Sequence, residues 1–475
     1  MQQKLQDIKK GKPHMNLTDT TLREKCTKTY DLIFTGQYEQ AKEELGRLWP
    51  GIGVRPTVES PDLFFVCGTL SRWLGAKQEI YDKSKDLLFE ALRMFQAQGQ
   101  ASKVREAQYE LSMGYFRCGA YDEARVVLDE ALEGLKDQEL RAKILIRKTI
   151  IEIWTGHARQ ALEVLDAARD AFENLSHALK GQWHGQMALA LRKLASAENR
   201  SDYFDRAIIE FTAAIYHYEE AGHERYCATN LNNLAFLLYK LHRYQEVYEY
   251  LDKAQKTLKN LRDIRLLAQV DETRARVLVA EERYEEARRV IIGVVDIFER
   301  SGEQALLADA LIIKATVQAR LGDYEHSLHS FHRAINMAET AGALCNAGRA
   351  ALSMIEEHGK TWLSEYEIYN AYRRADRLLA TTQDAEDIAR LRACARIMAR
   401  KLFGPSISDK NFLLQNTVRR YEARFIEQAL KEEQGSITHA AHKLGLTHQA
   451  LGSILKSRHK KLRSKRKPEV SRKRN

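Results

Sequence analysis

Residues 119–131 read Gly-Ala-Tyr-Asp-Glu-Ala-Arg-Val-Val-Leu-Asp-Glu-Ala, and this pattern decides the fold. Tyr121 is followed three positions later by the small residue Ala124, and Ala131 comes seven positions after that. These spacings put the two alanines on one face of a helix, where a neighbouring helix can approach closely. Gly119 is a residue at which an earlier helix can end in a left-handed conformation. The stretch therefore predicts a hairpin of two packed helices.

The pattern returns along the chain with a period close to forty residues. Its central small residue is, in successive copies, Ala41, Ser84, Ala124, Ala161, Ala207, Val247, Ala287 and Ser327. Glycine stands at the turn of four copies, and His242 or Glu282 takes its place in two others. No proline occurs between Pro61 and Pro405, which suits uninterrupted helices. A fixed period of this length predicts a solenoid, because one hairpin cannot bury its apolar face alone.

These copies resemble the tetratricopeptide repeat, whose turn carries Gly-x-Tyr-x-x-Ala with a further alanine seven positions later. The resemblance covers about residues 20–380. The period is longer than the usual value of about 34 residues, and the terminal proline is missing. Both features are common in the longer repeats of bacterial signalling proteins, which this chain resembles more closely.

The resemblance implies an all-α fold: a tetratricopeptide-like superhelical solenoid of helical hairpins. It also implies a concave face, lined by the first helix of each hairpin, that binds a peptide or protein partner. From their register in the first helices, the expected partner-groove residues are Tyr109, Asn232, Tyr239, Arg276 and Arg320.

A different pattern begins after residues 403–409, where Phe-Gly-Pro-Ser-Ile-Ser-Asp interrupts the helical periodicity and indicates a linker. Apolar residues then recur at helical spacing and predict an amphipathic helix; they are Val418, Tyr421, Phe425, Ile426, Ala429 and Leu430. Gly435 follows as a residue that can adopt the left-handed conformation that ends a helix.

The next twenty residues predict two short helices joined by a tight turn. Ser436 and Thr447 are suited to cap their N-termini. Gly445 can take the positive φ of the turn, and Leu446 is expected to pack inward. A small residue at Ala441 and buried aliphatic residues at Leu451, Ile454 and Leu455 complete a helix-turn-helix pattern.

The stretch from Tyr421 to Leu455 resembles the Fis-type DNA-binding domain of bacterial regulators. The matching residues are Glu422, Ile426, Gly435, Ala440, Ala441, Leu444 and Gly445. The resemblance implies a small helix-turn-helix domain whose second helix enters the major groove of DNA, and a homodimer that binds two half-sites. The DNA-binding residues expected on that helix are Thr447, His448, Gln449, Ala450, Ser453 and Lys456.

The charge of the chain is concentrated at its C-terminal end. Residues 456–475 contain eleven Lys or Arg and one acidic residue, which accounts for the whole formal net charge of +10. Arg458, Lys460, Lys461 and Arg463 follow the predicted recognition helix directly and are expected to bind phosphates. The tail therefore predicts electrostatic DNA affinity, although the recognition helix itself carries few basic residues.

These observations predict five segments: an N-terminal extension (1–19), the repeat array (20–402), a linker (403–414), the helix-turn-helix (415–457) and a disordered basic tail (458–475). The function predicted is a DNA-binding transcriptional regulator whose repeat array senses a peptide or protein partner. The alternative is an interaction scaffold, without enzymatic activity, whose tail binds nucleic acid without sequence preference.

Several classes of function are excluded by what the sequence lacks. No two of the six cysteines are close enough for a Cys-x-x-Cys motif, so neither a zinc site nor a redox site of that type is expected. No motif for catalysis or for a cofactor is found, and an enzyme is not predicted. Without a secretory signal or a membrane-spanning stretch, we expect a cytoplasmic protein associated with the nucleoid.

Overall fold

The computed structural model describes residues 19–75, 78–172, 174–198, 200–382, 384–403 and 413–465. The predicted N-terminal extension up to residue 18, most of the predicted linker and the tail beyond residue 465 lie outside these ranges. Throughout the described ranges the regular secondary structure is helical, without a strand. The chain divides into two units: Met1–Leu363 with Tyr369–Cys394, and Ser364–Ile368 with Ala395–Asn475.

The repeat array consists of helical hairpins, each with a first and a second helix. The first helices are α1 (Asp19–Phe34), α3 (Pro61–Leu74), α5 (Ala101–Arg117), α7 (Gln138–Trp154), α10 (His177–Glu198), α12 (Glu224–Lys240), α14 (Ile264–Ala280), α16 (Gln304–Arg320) and α18 (Leu344–His358). The second helices are α2 (Tyr38–Leu45), α4 (Gln78–Ala97), α6 (Tyr121–Leu132), α8 (Ala158–Ala167), α11 (Ser201–Glu220), α13 (Tyr244–Asn260), α15 (Tyr284–Ser301), α17 (Tyr324–Thr340) and α19 (Glu365–Leu378). A single turn, α9 (Arg169–Phe172), follows α8, and α20 (Ala385–Phe403) follows α19.

The small residues of the repeated pattern lie where the helices of each hairpin pack. All eight are inaccessible to solvent: Ala41, Ser84, Ala124, Ala161, Ala207, Val247, Ala287 and Ser327. The predicted period is therefore confirmed as the spacing of the hairpins. A further copy was not found in the sequence: α19 carries Ile368 and Ala375 at the same spacing, and both are buried. An isoleucine and a missing aromatic residue conceal that copy.

The predicted turns between first and second helices are confirmed by their backbone conformation. Gly119 and Gly322 have φ of 78° and 85°. His242 and Glu282, which replace glycine in their copies, are held at φ of 59° and 60°. A side chain in this left-handed region costs about 1 kcal/mol relative to glycine, so these two turns are strained by the packing of their hairpins.

The N-terminal hairpin contacts a hairpin far along the array. The His223 ring Nε2 lies 3.0 Å from the backbone oxygen of Phe34, at the end of α1. Arg225 lies over the Tyr38 ring with its guanidinium carbon 4.8 Å from the ring centre, and it pairs with Asp263 at 3.0 Å. These contacts close the first superhelical turn, so the first helices surround a narrow interior.

The C-terminal helix-turn-helix is built from α21 (Leu414–Glu432), α22 (Ile437–Lys443) and α23 (His448–Ser457). The predicted caps are confirmed: Ser436 Oγ accepts from the His439 amide at 3.4 Å, and Thr447 Oγ1 accepts from the Ala450 amide at 3.1 Å. Gly445 has φ of 67°, as the turn requires. The apolar core contains Ile426, Ala429, Leu430, Ala440, Ala441, Leu451 and Leu455.

Two details of this module differ from the sequence predictions. Leu446 does not pack inward: 37% of it is exposed, and Leu444 packs against the core in its place. Within the predicted basic tail, which begins at residue 458, a 3₁₀ helix spans Lys460–Lys465. Leu462 packs on the core of the module and fixes this segment.

No helix among the described residues is long and apolar enough to cross a lipid bilayer.

Candidate functional sites

Helix α23 has one buried face and one exposed face. Leu451 and Leu455, one turn apart, fix the helix to the core with almost no exposure. Gln449, Ser453 and Lys456 are exposed at positions i, i+4 and i+7, which form one stripe along the opposite side. His448 is also exposed, and Ala450 is half-buried. The helix therefore presents polar side chains to a surface while its apolar side chains hold it in place.

The N-terminus of α23 is suited to contact a phosphate. Thr447 is exposed, and its hydroxyl oxygen already accepts the bond from the Ala450 amide. Accepting that bond leaves the hydroxyl hydrogen available for donation to a phosphate oxygen. The positive end of the helix dipole favours an anion at the same place. Capping and phosphate contact are therefore compatible for Thr447.

The segment after α23 is anchored to α21 by Glu422. One carboxylate oxygen of Glu422 lies 3.2 Å from Arg458 Nη1, and the other lies 2.9 Å from Nε2 of the buried His459. Sequence reasoning missed His459, although its place two residues after the recognition helix and opposite Glu422 explains the ordered segment. Arg458 is half-exposed and would have to share its charge between Glu422 and a phosphate.

The remaining predicted phosphate ligands lie on the 3₁₀ helix. Lys460 and Lys461 are exposed. The side chain of Arg463 lies outside the described residues. The exposed ammonium groups of Lys460 and Lys461 follow the stripe of α23 directly in the chain, and so they extend the basic character of the module beyond its one basic stripe residue, Lys456.

The five predicted groove residues are not gathered into one site. Tyr109 is buried in a cavity surrounded by the first helices of the N-terminal hairpins. Burial raises the pKa of the Tyr239 phenol, and the nearby Arg276 guanidinium opposes this increase. Arg276 pairs with Glu272 at 2.5 Å, and Arg320 pairs with Glu357 at 2.8 Å. Asn232 is half-buried, and in the described structure its Oδ1 has no hydrogen-bond partner.

Sequence reasoning missed a buried charge cluster beside Tyr109. Arg72, Glu110 and Arg147 come from α3, α5 and α7 and are all nearly inaccessible. The available signal was the apolar context: Arg147 interrupts the run Ile144-Leu145-Ile146 and Ile150-Ile151. A charged side chain that is surrounded by core residues needs a partner or a function, because the burial of a lone charge is costly.

No group of three or more His, Cys, Asp or Glu side chains in the described ranges could hold a metal ion.

Comparison with known families identifies the C-terminal module. Residues 417–455 match the family model described as bacterial regulatory protein, Fis family. The three-helix geometry, the two caps and the core residues agree with this match, so the module is a Fis-family helix-turn-helix domain. No curated protein matches the chain by sequence.

Comparison with solved structures identifies the fold of the repeat array. The chain is similar to a Rap protein crystallised in complex with the competence and sporulation factor, at 18% identity and a TM-score of 0.50. That similarity covers 76% of this chain and 99% of the Rap chain. The chain is also similar to aspartyl phosphate phosphatase F from Bacillus subtilis (12% identity, TM-score 0.49, covering 79% and 98% of the two chains). The chain is similar to yeast Tom70 at 15% identity and a TM-score of 0.42, and this similarity covers 82% of this chain and 76% of the Tom70 chain. The Rap similarity shows that the array has a tetratricopeptide-repeat fold.

Proposed function

We propose that this protein is a DNA-binding transcriptional regulator whose repeat array senses a peptide or protein partner. The observation that carries the proposal is the exposed stripe of Gln449, Ser453 and Lys456 on α23, which belongs to a Fis-family domain. The core contacts of Leu451 and Leu455 aim this stripe away from the module. The stripe can therefore enter a major groove without rearrangement of the domain.

Each side chain of the stripe has a chemistry that suits the proposal. The Gln449 amide can donate to and accept from an adenine edge in a bidentate manner. Lys456 can neutralise a phosphate one helical turn beyond Ser453. Thr447 positions the helix on the backbone, and Lys460 and Lys461 add affinity that depends little on sequence. Recognition of the DNA sequence is therefore assigned to Gln449, and general affinity for DNA to the lysines.

We also propose that the DNA-bound form is a homodimer that pairs through α21. Leu414, Val418 and Phe425 recur at helical spacing on this helix, and each is more than half exposed. Large apolar side chains in one stripe are typical of an interaction surface. A second copy of the same helix is the occupant with matching chemistry, and a twofold axis would present two recognition helices to two half-sites.

The sensing role of the array is supported by its fold. A Rap protein with a similar repeat fold was crystallised with the competence and sporulation factor. In the chain described here, the first helices surround an interior in which a partner can contact several hairpins at once. In the cell, this proposal predicts a protein that associates with the nucleoid and changes its DNA occupancy when the partner binds.

The proposal is tested by selection of DNA from a random pool with the full chain, followed by affinity measurements on the selected sequence. We expect Gln449→Ala to weaken binding to the selected site about 10-fold to 100-fold and to leave binding to unrelated DNA unchanged. Gln96→Ala is the control, because Gln96 is an exposed glutamine on α4, outside both the stripe of α23 and the apolar stripe of α21.

The same experiment distinguishes the scaffold alternative. A scaffold whose tail binds nucleic acid without reading sequence would enrich no sequence, and Gln449→Ala would then behave like Gln96→Ala. Enrichment of a site that depends on Gln449 supports a regulator. Absence of enrichment contradicts it.

A further inference from the structure

The first superhelical turn of the repeat array encloses a cavity of about 270 Å³. Its walls come mainly from the first helices α1, α3, α5, α7, α10 and α12. Phe34, one of its lining residues, is in contact with His223 through its backbone oxygen. Three arginines and one glutamate are the charged residues among its lining: Arg72, Glu110, Arg117 and Arg147.

Both oxygens of the single carboxylate are already occupied. Arg72 Nη2 pairs with Glu110 Oε2, and the two side chains are 4% and 6% exposed. Tyr30 donates to the other oxygen at 2.9 Å. Burial, followed by the Glu110 charge, raises the pKa of Tyr30 well above its usual value, so the phenol keeps the proton that it donates. Each oxygen of Glu110 therefore accepts one hydrogen bond, from Arg72 and from Tyr30, and neither pairs directly with Arg147.

Arg147 is left without an acidic partner in the described structure. It is 7% exposed, and its guanidinium carbon lies 4.1 Å from the centre of the Tyr109 ring. Its Nη1 atom is buried without a hydrogen-bond partner. The Tyr109 side chain is a hydrogen-bond partner of the guanidinium, and the Glu110 charge favours its charged form. The N–H groups of Nη1 remain buried without an acceptor, and an anion in the cavity would offset this cost. The buried charges of Arg72, Glu110 and Arg147 leave one positive charge in excess.

We propose that the cavity binds a small carboxylate-bearing ligand, with the carboxylate on Arg147. A planar monoanion matches both the fork of the guanidinium and the single excess charge. The rest of the lining fits an apolar or aromatic body, through Trp73 and Tyr226, and a polar backbone, through Asn230 and Asn233. The volume admits a ligand no larger than a short peptide or a small aromatic acid.

This inference deepens the proposed sensing role and rests on it for its consequence in the cell. It assigns the ligand chemistry of the array to a site that contains only one of the five sequence-predicted groove residues, Tyr109. Binding to the cavity is measured without DNA, while the proposed regulatory function is measured by DNA selection. Failure of one therefore remains distinguishable from failure of the other.

The test uses the full chain and calorimetric titration with phenylacetate, together with its neutral analogue phenylacetamide. We expect the acid to bind and to raise the melting temperature of the array, and the amide to do neither. Arg147→Met should weaken binding of the acid about 10-fold to 100-fold, because a hydrogen-bonded charge is lost. Arg288→Met is the control, because Arg288 is exposed and pairs with Glu285 far from the cavity.

Folding of the variant is checked by its melting transition. Methionine replaces a buried charge that has no acidic partner in the described structure by an apolar side chain of similar length, so the unliganded array should remain folded. A second variant is expected to have the opposite effect on affinity. Glu110→Gln removes the negative charge beside Arg147 and should tighten binding of the acid severalfold.

The source of the carboxylate is identified by a parallel set of tripeptides with free or amidated C-termini. Preference for free C-termini over phenylacetate assigns the site to a peptide end, and the reverse preference assigns it to a small acid. Inorganic phosphate is the competing anion. The proposal is overturned if phosphate binds better than every carboxylate, if phenylacetamide binds as well as phenylacetate, if Arg147→Met binds the acid normally, or if no carboxylate probe binds.

Discussion

Positive charge is used in opposite ways in the two units of this protein. In the repeat array, Arg72 and Arg147 are buried beside a single carboxylate, and the Nη1 atom of Arg147 lacks a hydrogen-bond partner in the described structure. In the helix-turn-helix, Lys456, Lys460 and Lys461 are exposed at the surface. A buried charge needs a specific acceptor at a specific place, whereas an exposed charge is satisfied by water and by any phosphate. We therefore expect selective ligand binding by the array and salt-dependent DNA affinity from the basic end of the chain.

The largest expected effect is a difference in salt dependence between the two units. If about six Lys or Arg side chains neutralise phosphates, DNA affinity should fall about 1000-fold between about 50 and 200 mM salt. Binding of phenylacetate at the buried Arg147 should fall less than about 3-fold over that range, because buried pairs are weakly screened. Titrations of the full chain with each ligand at four salt concentrations measure both slopes. Equal salt dependence of DNA binding and phenylacetate binding would contradict the distinction between exposed and buried positive charges.

The next largest effect concerns the small core that holds the stripe of α23. Leu451→Ala leaves a cavity at a fully buried position and should cost about 2–5 kcal/mol, comparable to the stability of so small a module. We expect loss of site-specific DNA binding with the melting transition of the array unchanged. Leu446→Ala is the matched control, since Leu446 is 37% exposed. Calorimetry and DNA titration of both variants measure the two effects. Equal losses of DNA binding in both variants would show that the burial of Leu451 does not explain its effect.

A smaller effect is expected from pH at the closure of the superhelical turn. Burial lowers the pKa of His223; the Arg225 charge adds to this effect, and the hydrogen bond to Phe34 opposes it. Since the folded chain holds this proton less tightly than the unfolded chain, the array keeps its full stability above about pH 6.5 and loses it as the pH falls through the folded value.

The measurement is the melting temperature and the phenylacetate affinity of the array between about pH 7.5 and 5.5. Both should fall together as the pH decreases. His223→Gln keeps a donor for the Phe34 carbonyl and removes the titration, so it should reduce the dependence on pH. A variant with an unchanged pH profile would show that His223 does not control the closure.

The smallest effect is expected at the strained turns of the array. Glu282→Gly should stabilise the array by about 0.5–1 kcal/mol, because glycine adopts the left-handed conformation without strain. Glu285→Gly, three residues later within α15, should instead destabilise it by about 1 kcal/mol. Denaturant unfolding of both variants provides the measurement. The same sign for both would show that the turn conformation does not matter.

The fold could be predicted because packing repeats leave a periodic trace in the sequence. The small residues, the turn glycines and the caps Ser436 and Thr447 each follow from local chemistry, and the structure confirms them. The copy at Ile368 was missed because its aromatic residue and small residue are both replaced. Leu446 was placed inside by its apolar character alone, but it follows the turn at Gly445 and is exposed, whereas Leu444, at the end of α22, packs on the core.

The cavity could not be predicted, since it depends on closure between hairpins that are far apart in sequence. Phe34 and His223 meet across 189 positions, and no local pattern encodes that contact. The sequence shows Arg147 as a charge within an apolar run. Only the structure shows that Glu110 pairs with Arg72 and Tyr30, which leaves Arg147 without an acidic partner in the described structure. Of the five groove residues predicted from the sequence register, Tyr109 lines the cavity.

The most direct test of the central claim compares DNA selection by the full chain with selection by the chain that ends at residue 412. The account predicts that the full chain enriches a defined sequence and that the shortened chain, which keeps the folded array, binds no DNA at low or moderate salt. It also predicts that the shortened chain binds phenylacetate with unchanged affinity. Sequence enrichment by the shortened chain, or its absence with the full chain, would contradict the assignment of DNA reading to α23.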